Sequence, residues 1–312
     1  MVAHGIMFHH FYDSLHPRGQ GAISADKFDH MLSYLRRDHS ILDAKDWMRR
    51  ALRDELLSND ICITFDDSLK CQYDIAKPVL DRHDIRAFWF VYSSVFEGNM
   101  EPLELYRYFR TVCFKDFAEF YNAFFRKVHG SLFAERIETA LKGYDPDAYI
   151  AVYPFYSQQD AIFRFVRDRV LEPAEYGALM DEMIEAADLN IGEAVRHLWM
   201  TNDHIRSLHS DGHVIGLHSH SHPMLIEELP MEQKREEYSR NHRYLSKVLG
   251  EPPIAMSHPC NSYDADILNI LEQHGIRLGF RADMEMAGKA HSMFEFPRTD
   301  QAVVSSRISE HS

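Results

Sequence analysis

Two adjacent aspartates, Asp66 and Asp67, directly follow the run Ile61–Phe65 (ICITF). This run is apolar and β-branched, which predicts a buried strand, and parallel α/β folds place active-site groups at the carboxyl ends of such strands. Two neighbouring carboxylates repel one another, and a bound cation would compensate that repulsion. An N-capping aspartate beside a solvent-facing one is the alternative interpretation of the pair taken alone.

A histidine-rich segment supplies the second part of a possible metal site. His218 and His222 are four residues apart in His218–Pro223 (HSHSHP), so a helical turn or a tight loop can direct both imidazoles to one ion. Two imidazoles and one carboxylate suit zinc or another first-row divalent ion and leave positions open for water and a substrate oxygen. A histidine-rich surface loop is the alternative.

Together these two segments resemble the polysaccharide deacetylase family of NodB-like carbohydrate esterases, carbohydrate esterase family 4. The family's TFDDG motif corresponds to Thr64–Ser68 (TFDDS), and its H-[ST]-x-x-H motif followed by proline corresponds to His218–Pro223. The family's P-[YF]-G-x-[YN] turn is similar to Pro259–Tyr263 (PCNSY), and a late [LF]-P-R segment of some members is similar to Phe296–Arg298.

The resemblance implies a role for each matching residue. Asp67, His218 and His222 would bind one divalent metal ion, and Asp66 would be the general base. We expect zinc, with cobalt, nickel or iron(II) as alternatives. A metal ion polarises a carbonyl and acidifies water, and a nearby carboxylate can accept the proton.

Some family positions differ in this chain. The arginine that orients the catalytic aspartate in many members has no match, and Arg298 is expected either to orient Asp66 in its place or to form a structural ion pair. The stretch that matches the third motif offers His258, Pro259 and Asn261 as supporting or substrate-binding residues. Asn261 occupies the place of a glycine, and asparagine is the next best residue for a left-handed turn.

The general acid of the family is usually a histidine in a late L-x-H motif, which has no counterpart here. His9 and His10 at the end of the first predicted strand, His258, and His291 are the alternatives. His10 is also expected to support substrate binding. The leaving amine needs a proton, so a residue in this role is required.

The elements that must position these residues alternate between strand and helix. This alternation and the resemblance predict an α/β fold, an irregular (distorted) (β/α) barrel of the NodB type. From about residue 97 to 208 the pattern is mostly helical, which predicts a large helical insertion within a single domain of residues 1–312; a separate helical domain is the alternative. The tail beyond Asp300 is expected to fray. Strands are predicted at 5–8, 61–65, 87–92, 213–217, 254–256 and 278–281, and helices at 73–81, 234–249 and 265–274.

Composition limits the partners that we expect. The net charge of −14 argues against binding to nucleic acid or to an anionic membrane surface. No apolar stretch has transmembrane length, the N-terminus has no secretory pattern, and the four cysteines show no paired spacing. The sequence therefore predicts a cytoplasmic protein without a transmembrane segment.

These observations predict a metal-dependent hydrolase of carbon–nitrogen amide bonds that removes an N-acetyl or related N-acyl group from an amino sugar. The substrate is expected to be an intracellular precursor in surface polysaccharide synthesis of the lipopolysaccharide or O-antigen type, nucleotide- or lipid-linked. One alternative is a NodB-like hydrolase of a cyclic amide or ureide. Another is a non-catalytic, sugar-binding relative that uses the metal only structurally.

Overall fold

The computed structural model describes residues 2–152, 156–282 and 292–310. Within these residues a single parallel sheet contains eight strands, and their bounds are β1 His4–Phe8, β2 Ser40–Ile41, β3 Asp60–Phe65, β4 Phe88–Val91, β5 Val214–Leu217, β6 Ala255–Ser257, β7 Leu278–Phe280 and β8 Arg298–Asp300. The order across the sheet is β7-β6-β5-β4-β3-β1-β8, with β2 paired to β3.

The two edges of this sheet approach one another. β8 pairs with β1, and the residues just before β8 reach β7 through a parallel bridge between Phe296 and Phe280. The Phe296 N–H donates to the Gly279 carbonyl, and the Arg281 N–H donates to the Phe296 carbonyl. The sheet therefore nearly closes into a barrel, and the predicted irregular (β/α) barrel is confirmed.

The long strands are buried along their whole length, as expected for parallel strands covered on both sides. Alternate residues divide between two apolar clusters: Phe88 and Phe90 of β4 lie in one, and Trp89 lies in the other. The Trp89 ring stacks on Phe65 of β3 at 4.2 Å between ring centroids. Burial of each such side chain contributes about 1.5–3 kcal/mol, so this packing fixes the strand ends that precede the site.

The first compact unit comprises residues 1–101 and 195–312. The expectation that the tail beyond Asp300 frays is wrong, because Gln301–Glu310 is a helix that buries Gln301 and Val304. Two buried positions three residues apart are too sparse a pattern to predict a helix. The α-helices of this unit are Ala25–Leu35, Ala44–Ala51, Lys77–Arg82, Asn202–Ser210, Met231–Leu249, Ala265–Gln273 and Gln301–Glu310. A short π-helix lies at Gln72–Ala76, and 3₁₀ helices lie at Ser94–Glu97, Ile226–Glu228 and Pro259–Asn261.

Residues 102–194 form a second compact unit, which is helical throughout its described elements. Its bounds differ from the predicted insertion of about 97–208, and the prediction of one deacetylase domain over residues 1–312 stays a prediction. The α-helices are Pro102–Val112, Phe117–His129, Ala134–Leu141, Pro146–Val152, Gln158–Phe165 and Pro173–Ala186. A short π-helix, Val166–Val170, continues from Gln158–Phe165, and a further α-helix, Ile191–Leu198, crosses the boundary between the two units.

A break interrupts the helical pattern after residue 198. Trp199 forms an antiparallel bridge with Leu69, and the Met200 N–H donates to the Ser68 carbonyl. Thr201 then caps the next helix by accepting from the His204 N–H. The chain after the break therefore lines the loop that follows β3. None of the described helices is both long enough and apolar enough to cross a membrane.

Candidate metal and catalytic site

The predicted metal-binding residues lie on two loops at the same edge of the sheet. Asp66 and Asp67 follow β3, and His218 and His222 follow β5. Both strands pair in parallel with β4, so their carboxyl ends open at one edge. The fold therefore brings together two segments that are about 150 residues apart in the chain.

Asp67, His218 and His222 form a compact cluster of possible metal ligands. Each offers one ligand atom, and these atoms lie within 4.8 Å of one another. Asp67 Oδ1 is 3.4 Å from His218 Nε2 and 3.4 Å from His222 Nε2. This oxygen is buried and accepts no hydrogen bond from any described residue. A buried carboxylate oxygen without a partner is costly, so the residues present fit a divalent ion bound at this position.

Hydrogen bonds hold His218 in the orientation that a metal ligand needs. Its Nδ1 lies 2.9 Å from the Ser257 carbonyl, which can only accept, so Nδ1 carries the proton and Nε2 keeps a lone pair towards Asp67. The His218 backbone N–H donates to Asn241 Oδ1 at 3.1 Å, and Asn241 Nδ2 donates to the Val91 carbonyl at 2.9 Å. Asn241 therefore ties the start of the histidine loop to the end of β4.

Both loops contain residues in the left-handed region of backbone conformation. Asp67 and Ser68 have φ of 76° and 58°, and Ser219 and His222 have φ of 60° and 57°. This conformation costs a residue other than glycine roughly 1–2 kcal/mol. Ser68 occupies the position where the family motif has glycine, and its positive φ is the physical reason for that preference. Backbone strain beside ligand atoms is typical of functional sites.

Two side chains that no sequence motif indicates, Gln72 and Glu237, anchor these loops. Gln72 Nε2 donates to the Asp66 carbonyl at 2.6 Å and to the His9 carbonyl at 2.8 Å, which joins the loops after β3 and β1. Glu237 Oε2 accepts two backbone N–H groups of the histidine loop, at 2.9 and 2.8 Å. Isolated polar residues within helical patterns look like solvent-facing positions, so the sequence carries no signal for these contacts.

Asp66 lies beside the ligand cluster and pairs with Arg298. Arg298 Nη1 donates to Asp66 Oδ1 and Nη2 donates to Asp66 Oδ2, both at 2.7 Å, between side chains that are 0% and 3% exposed. The same guanidinium donates to Ser257 Oγ at 2.7 Å and, through Nε, to the Arg281 carbonyl at 2.9 Å. This geometry fits the expectation that Arg298 orients Asp66.

Neighbouring charges keep both aspartates ionised. Burial raises the pKa of Asp66, but the Arg298 guanidinium and then His218 more than offset this effect and hold the pKa below its ordinary value. Burial likewise raises the pKa of Asp67, and there the His218 and His222 imidazoles hold it well below the ordinary value. Both carboxylates are therefore anionic at neutral pH, so that one can bind a cation while the other accepts a proton.

His9 and His10 lie at the mouth of the same loops. His9 Nε2 is 3.9 Å from Asp66 Oδ2 and 3.9 Å from Asp67 Oδ2, and its side chain is partly exposed. The rings of His9 and His10 lie 6.1 Å apart. Of the histidines proposed as general acid that the structure describes, His9 is in contact range of both carboxylates.

His258 lies in a different environment. It is fully buried, its Nε2–H donates to the Phe294 carbonyl at 2.9 Å, and burial lowers its pKa to about 3. At neutral pH the His258 imidazole is neutral, and its single N–H already donates to Phe294, so it cannot protonate a leaving amine. The surroundings of His258 therefore favour a structural role. His291, the remaining alternative, lies outside the described residues.

Pro259 and Asn261 shape the turn after β6. Pro259–Asn261 is a short 3₁₀ turn, and Asn261 has φ of 60°, which confirms the predicted left-handed conformation. Asn261 Oδ1 accepts the Ala282 N–H at 2.9 Å, and Tyr263 stacks on His258 at 4.0 Å. The structure gives these residues supporting contacts, and their contact with a substrate stays a prediction.

The barrel places the ligand cluster and the ionised Asp66 together at its carboxyl edge, which is an arrangement that a metal-dependent hydrolase needs. The sequence model of the family described as polysaccharide deacetylase matches residues 173–279, which include His218 and His222. This match over part of the chain confirms the predicted resemblance to the NodB-like polysaccharide deacetylases and indicates a hydrolase acting on carbon–nitrogen amide bonds. Among curated proteins, no sequence matches the chain.

Solved structures of deacetylases share the fold over nearly the whole chain. The deacetylase PplD from Streptococcus pyogenes, solved in complex with acetate, aligns over 96% of this chain and 92% of its own, with 16% identity and a TM-score of 0.56. IcaB from Ammonifex degensii aligns over 97% and 96%, with 15% identity and a TM-score of 0.56. A de-N-acetylase from Aggregatibacter actinomycetemcomitans aligns over 95% and 93%, with 12% identity and a TM-score of 0.54.

Proposed function

We propose that the chain removes an N-acetyl or related N-acyl group from an amino sugar by metal-dependent hydrolysis. The observation that carries this proposal is the position of an ionised, oriented Asp66 beside the cluster of Asp67, His218 and His222, with Asp66 Oδ2 3.9 Å from His218 Nε2. Hydrolysis of an amide needs an electrophilic site and a base that both reach one carbonyl. The match to the polysaccharide deacetylase family model supports the amino-sugar substrate.

One divalent ion would be held by Asp67, His218 and His222, and zinc is the metal that we propose, with cobalt, nickel and iron(II) as alternatives. One carboxylate and two imidazoles form a donor set that suits these metals and leaves positions open. When bound, the ion would supply Lewis-acid polarisation of the substrate carbonyl and a water acidified towards neutral pH.

The chain's own residues would bind, orient and move protons around this centre. Asp66 would accept the proton of the attacking water, because its carboxylate is ionised and lies next to the ligand atoms. Arg298 and Ser257 would keep that carboxylate in one orientation through three hydrogen bonds, and Arg298 also donates to Ser257 Oγ. His9, His10 and His291 remain the predicted alternatives for the proton donor to the leaving amine.

The test is release of acetate and, separately, of formate from N-acylated amino sugars presented free, nucleotide-linked and lipid-linked. We expect release from one of these groups, loss of release on chelation, and recovery on adding back zinc. The group that is turned over also tests the finer prediction of an intracellular, nucleotide- or lipid-linked precursor in the synthesis of a lipopolysaccharide- or O-antigen-type surface polysaccharide.

A parallel panel of cyclic amides and ureides distinguishes the alternatives. Ring opening of one of these compounds, with no release from any acylated sugar, would replace the deacetylase proposal by the cyclic-amide hydrolase. Stoichiometric zinc and saturable binding of a sugar, with no turnover in either panel, would replace it by the non-catalytic sugar-binding protein.

A further inference from the structure

A cavity of about 130 Å³ lies within the helical unit of residues 102–194, which contains none of the residues proposed for the metal site. Its lining includes four arginines, and Glu104 is the single carboxylate among the described lining residues. We call it the arginine cavity, and its arginines are Arg107, Arg110, Arg164 and Arg167.

Arg110 is the buried arginine of this set. It is 8% exposed, and its Nε has no hydrogen-bond partner among the described residues. Its guanidinium lies over the rings of Phe117 and Phe120, at 5.0 and 5.9 Å from the ring centroids. A buried, charged group with an unused donor is costly, so an anionic acceptor in the arginine cavity would stabilise it.

Two other guanidinium groups act electrostatically on Arg110. Burial lowers the pKa of Arg110, Tyr121 and Tyr176 oppose this shift, and the neighbouring Arg107 and Arg164 guanidinium groups add to it. Arg167 pairs with Asp168, with Nη2 donating to Oδ2 at 2.9 Å. The described lining residues themselves carry four guanidinium groups and one carboxylate, and this excess at the wall suits a dianion better than a monoanion. Asp160 and Asp181 do not line the cavity and accept hydrogen bonds from Tyr121 and Tyr106.

The size and walls of the cavity restrict the ligand further. A dry cavity of about 150 Å³ holds one benzene molecule, so the arginine cavity has room for a group of roughly five or six heavy atoms. Phe120, Phe163 and Tyr176 form apolar walls. Guanidinium groups bind phosphate oxygens in bidentate geometry and pack on aromatic faces, and a phosphate group is the small dianion that matches both features.

We propose that the arginine cavity binds the phosphate group of a small phosphate ester. This site goes beyond the proposed deacetylase function, since it lies in a different unit and involves none of the same residues. The role is binding, and no bond of the ligand is broken.

Isothermal titration of the full chain with inorganic phosphate, a hexose 1-phosphate and a nucleoside 5′-diphosphate tests this proposal. Arg107→Gln and Arg164→Gln each remove one charge at a partly exposed position, so neither change is expected to prevent folding. Arg126→Gln removes the same charge from an exposed position that does not line the cavity, and is the matched control. We expect saturable binding whose Kd rises about tenfold or more in the first two variants, and stays unchanged in the control.

The three probes also distinguish the source of the phosphate. Equal affinity for all three supports a site for the phosphate group alone, and tighter binding of one ester supports that ester class as the ligand. No saturable binding of any probe, or equal weakening by Arg126→Gln, would overturn the proposal. Asp66→Asn should bind the probes as the wild type does, so this result does not depend on the deacetylase activity.

Discussion

The Arg298 guanidinium donates one hydrogen bond to each carboxylate oxygen of Asp66, both at 2.7 Å, although the two residues are 232 positions apart in the sequence. Parallel pairing of β8 with β1, and of β1 with β3, brings them together. The bidentate pair fixes the plane of the carboxylate and keeps it ionised. The proposed role of Asp66 as a base rests on this pair.

Replacing Arg298 with methionine should lower the unfolding free energy and leave the Asp66 carboxylate without the partner that orients it. Asp66 would be left buried without its cation, which costs about 3–5 kcal/mol of unfolding free energy. Arg298→Lys keeps the positive charge but cannot form both guanidinium hydrogen bonds to Asp66. It should therefore lose less stability than Arg298→Met. Denaturant unfolding of the two variants, with the exposed Arg126→Met as control, measures this order. A methionine variant as stable as the wild type would show that the pair is not coupled to the fold.

Metal binding should depend on the predicted ligands and not on the histidine between them. We expect His222→Ala and Asp67→Asn to weaken zinc binding by about 100-fold or more, since losing even an outer partner of a ligand costs about 10–100-fold. His220 instead contacts Ser93 Oγ through Nδ1 at 2.9 Å, so His220→Asn should retain the metal. Metal content after dialysis measures the difference. Equal retention in all three variants would place the ion elsewhere.

Stability should fall in mild acid because of His213. This side chain is buried, its Nδ1 accepts the Ala87 N–H at 2.9 Å, and burial lowers its pKa to about 4. The unfolded chain binds the proton near pH 6.5, so between pH 6.5 and 4 protonation favours the unfolded state. His213 should therefore contribute a fall of about 2 kcal/mol in the unfolding free energy between pH 7 and pH 5, in addition to the fall that the buried His258 contributes.

His213→Gln supplies the control for this pH dependence, because glutamine offers an acceptor that does not titrate. Denaturant midpoints at pH 7 and pH 5 should differ less in the variant than in the wild type. The same acid dependence in both proteins would assign the effect to other groups.

Gly216 should not tolerate a side chain. A Cβ at this position would lie 2.7 Å from the Ala255 carbonyl oxygen and 2.7 Å from the Phe90 ring, two residues before His218. Gly216→Ala should therefore displace β5, lower stability by about 1–3 kcal/mol and weaken zinc binding. Gly192→Ala, where the nearest atom is 3.6 Å away, is the matched control and should leave both unchanged or raise stability. Equal thermal midpoints for Gly216→Ala and Gly192→Ala would contradict the close packing of β5 around Gly216.

The ligand cluster could be predicted because its pattern is local. Asp66 and Asp67 are adjacent after an obvious strand, and His218 and His222 are four residues apart. The predicted strands follow runs of three or more mostly apolar residues, whereas β2, with two residues, and β8, with the sequence RTD, contain no such run. The alternation of strand and helix predicts a parallel α/β sheet or barrel, and the family resemblance is needed to predict the irregular barrel.

The partner of Asp66 could not be chosen from the sequence, because the choice depends on how the sheet closes. Arg298 reaches Asp66 only through the pairing of β8 with β1, and no local pattern encodes that order. Asn241 is a comparable case, since a polar residue on the buried face of a helix resembles one on its exposed face. The helix break at Trp199 depends on a bridge to Leu69, which is also a non-local contact.

Asp66→Asn, measured for both zinc content and acetate release, tests the central claim most directly. The substitution keeps the size of the side chain and removes its basic oxygen, and thermal unfolding confirms that the variant is folded. We expect one zinc per chain, as in the wild type, and acetate release lowered by about 10³-fold, within the range of about 10²–10⁴ for loss of a general base. Acetate release within a few-fold of the wild type, or loss of zinc together with activity, would contradict the assignment of Asp66 as the base beside the metal site.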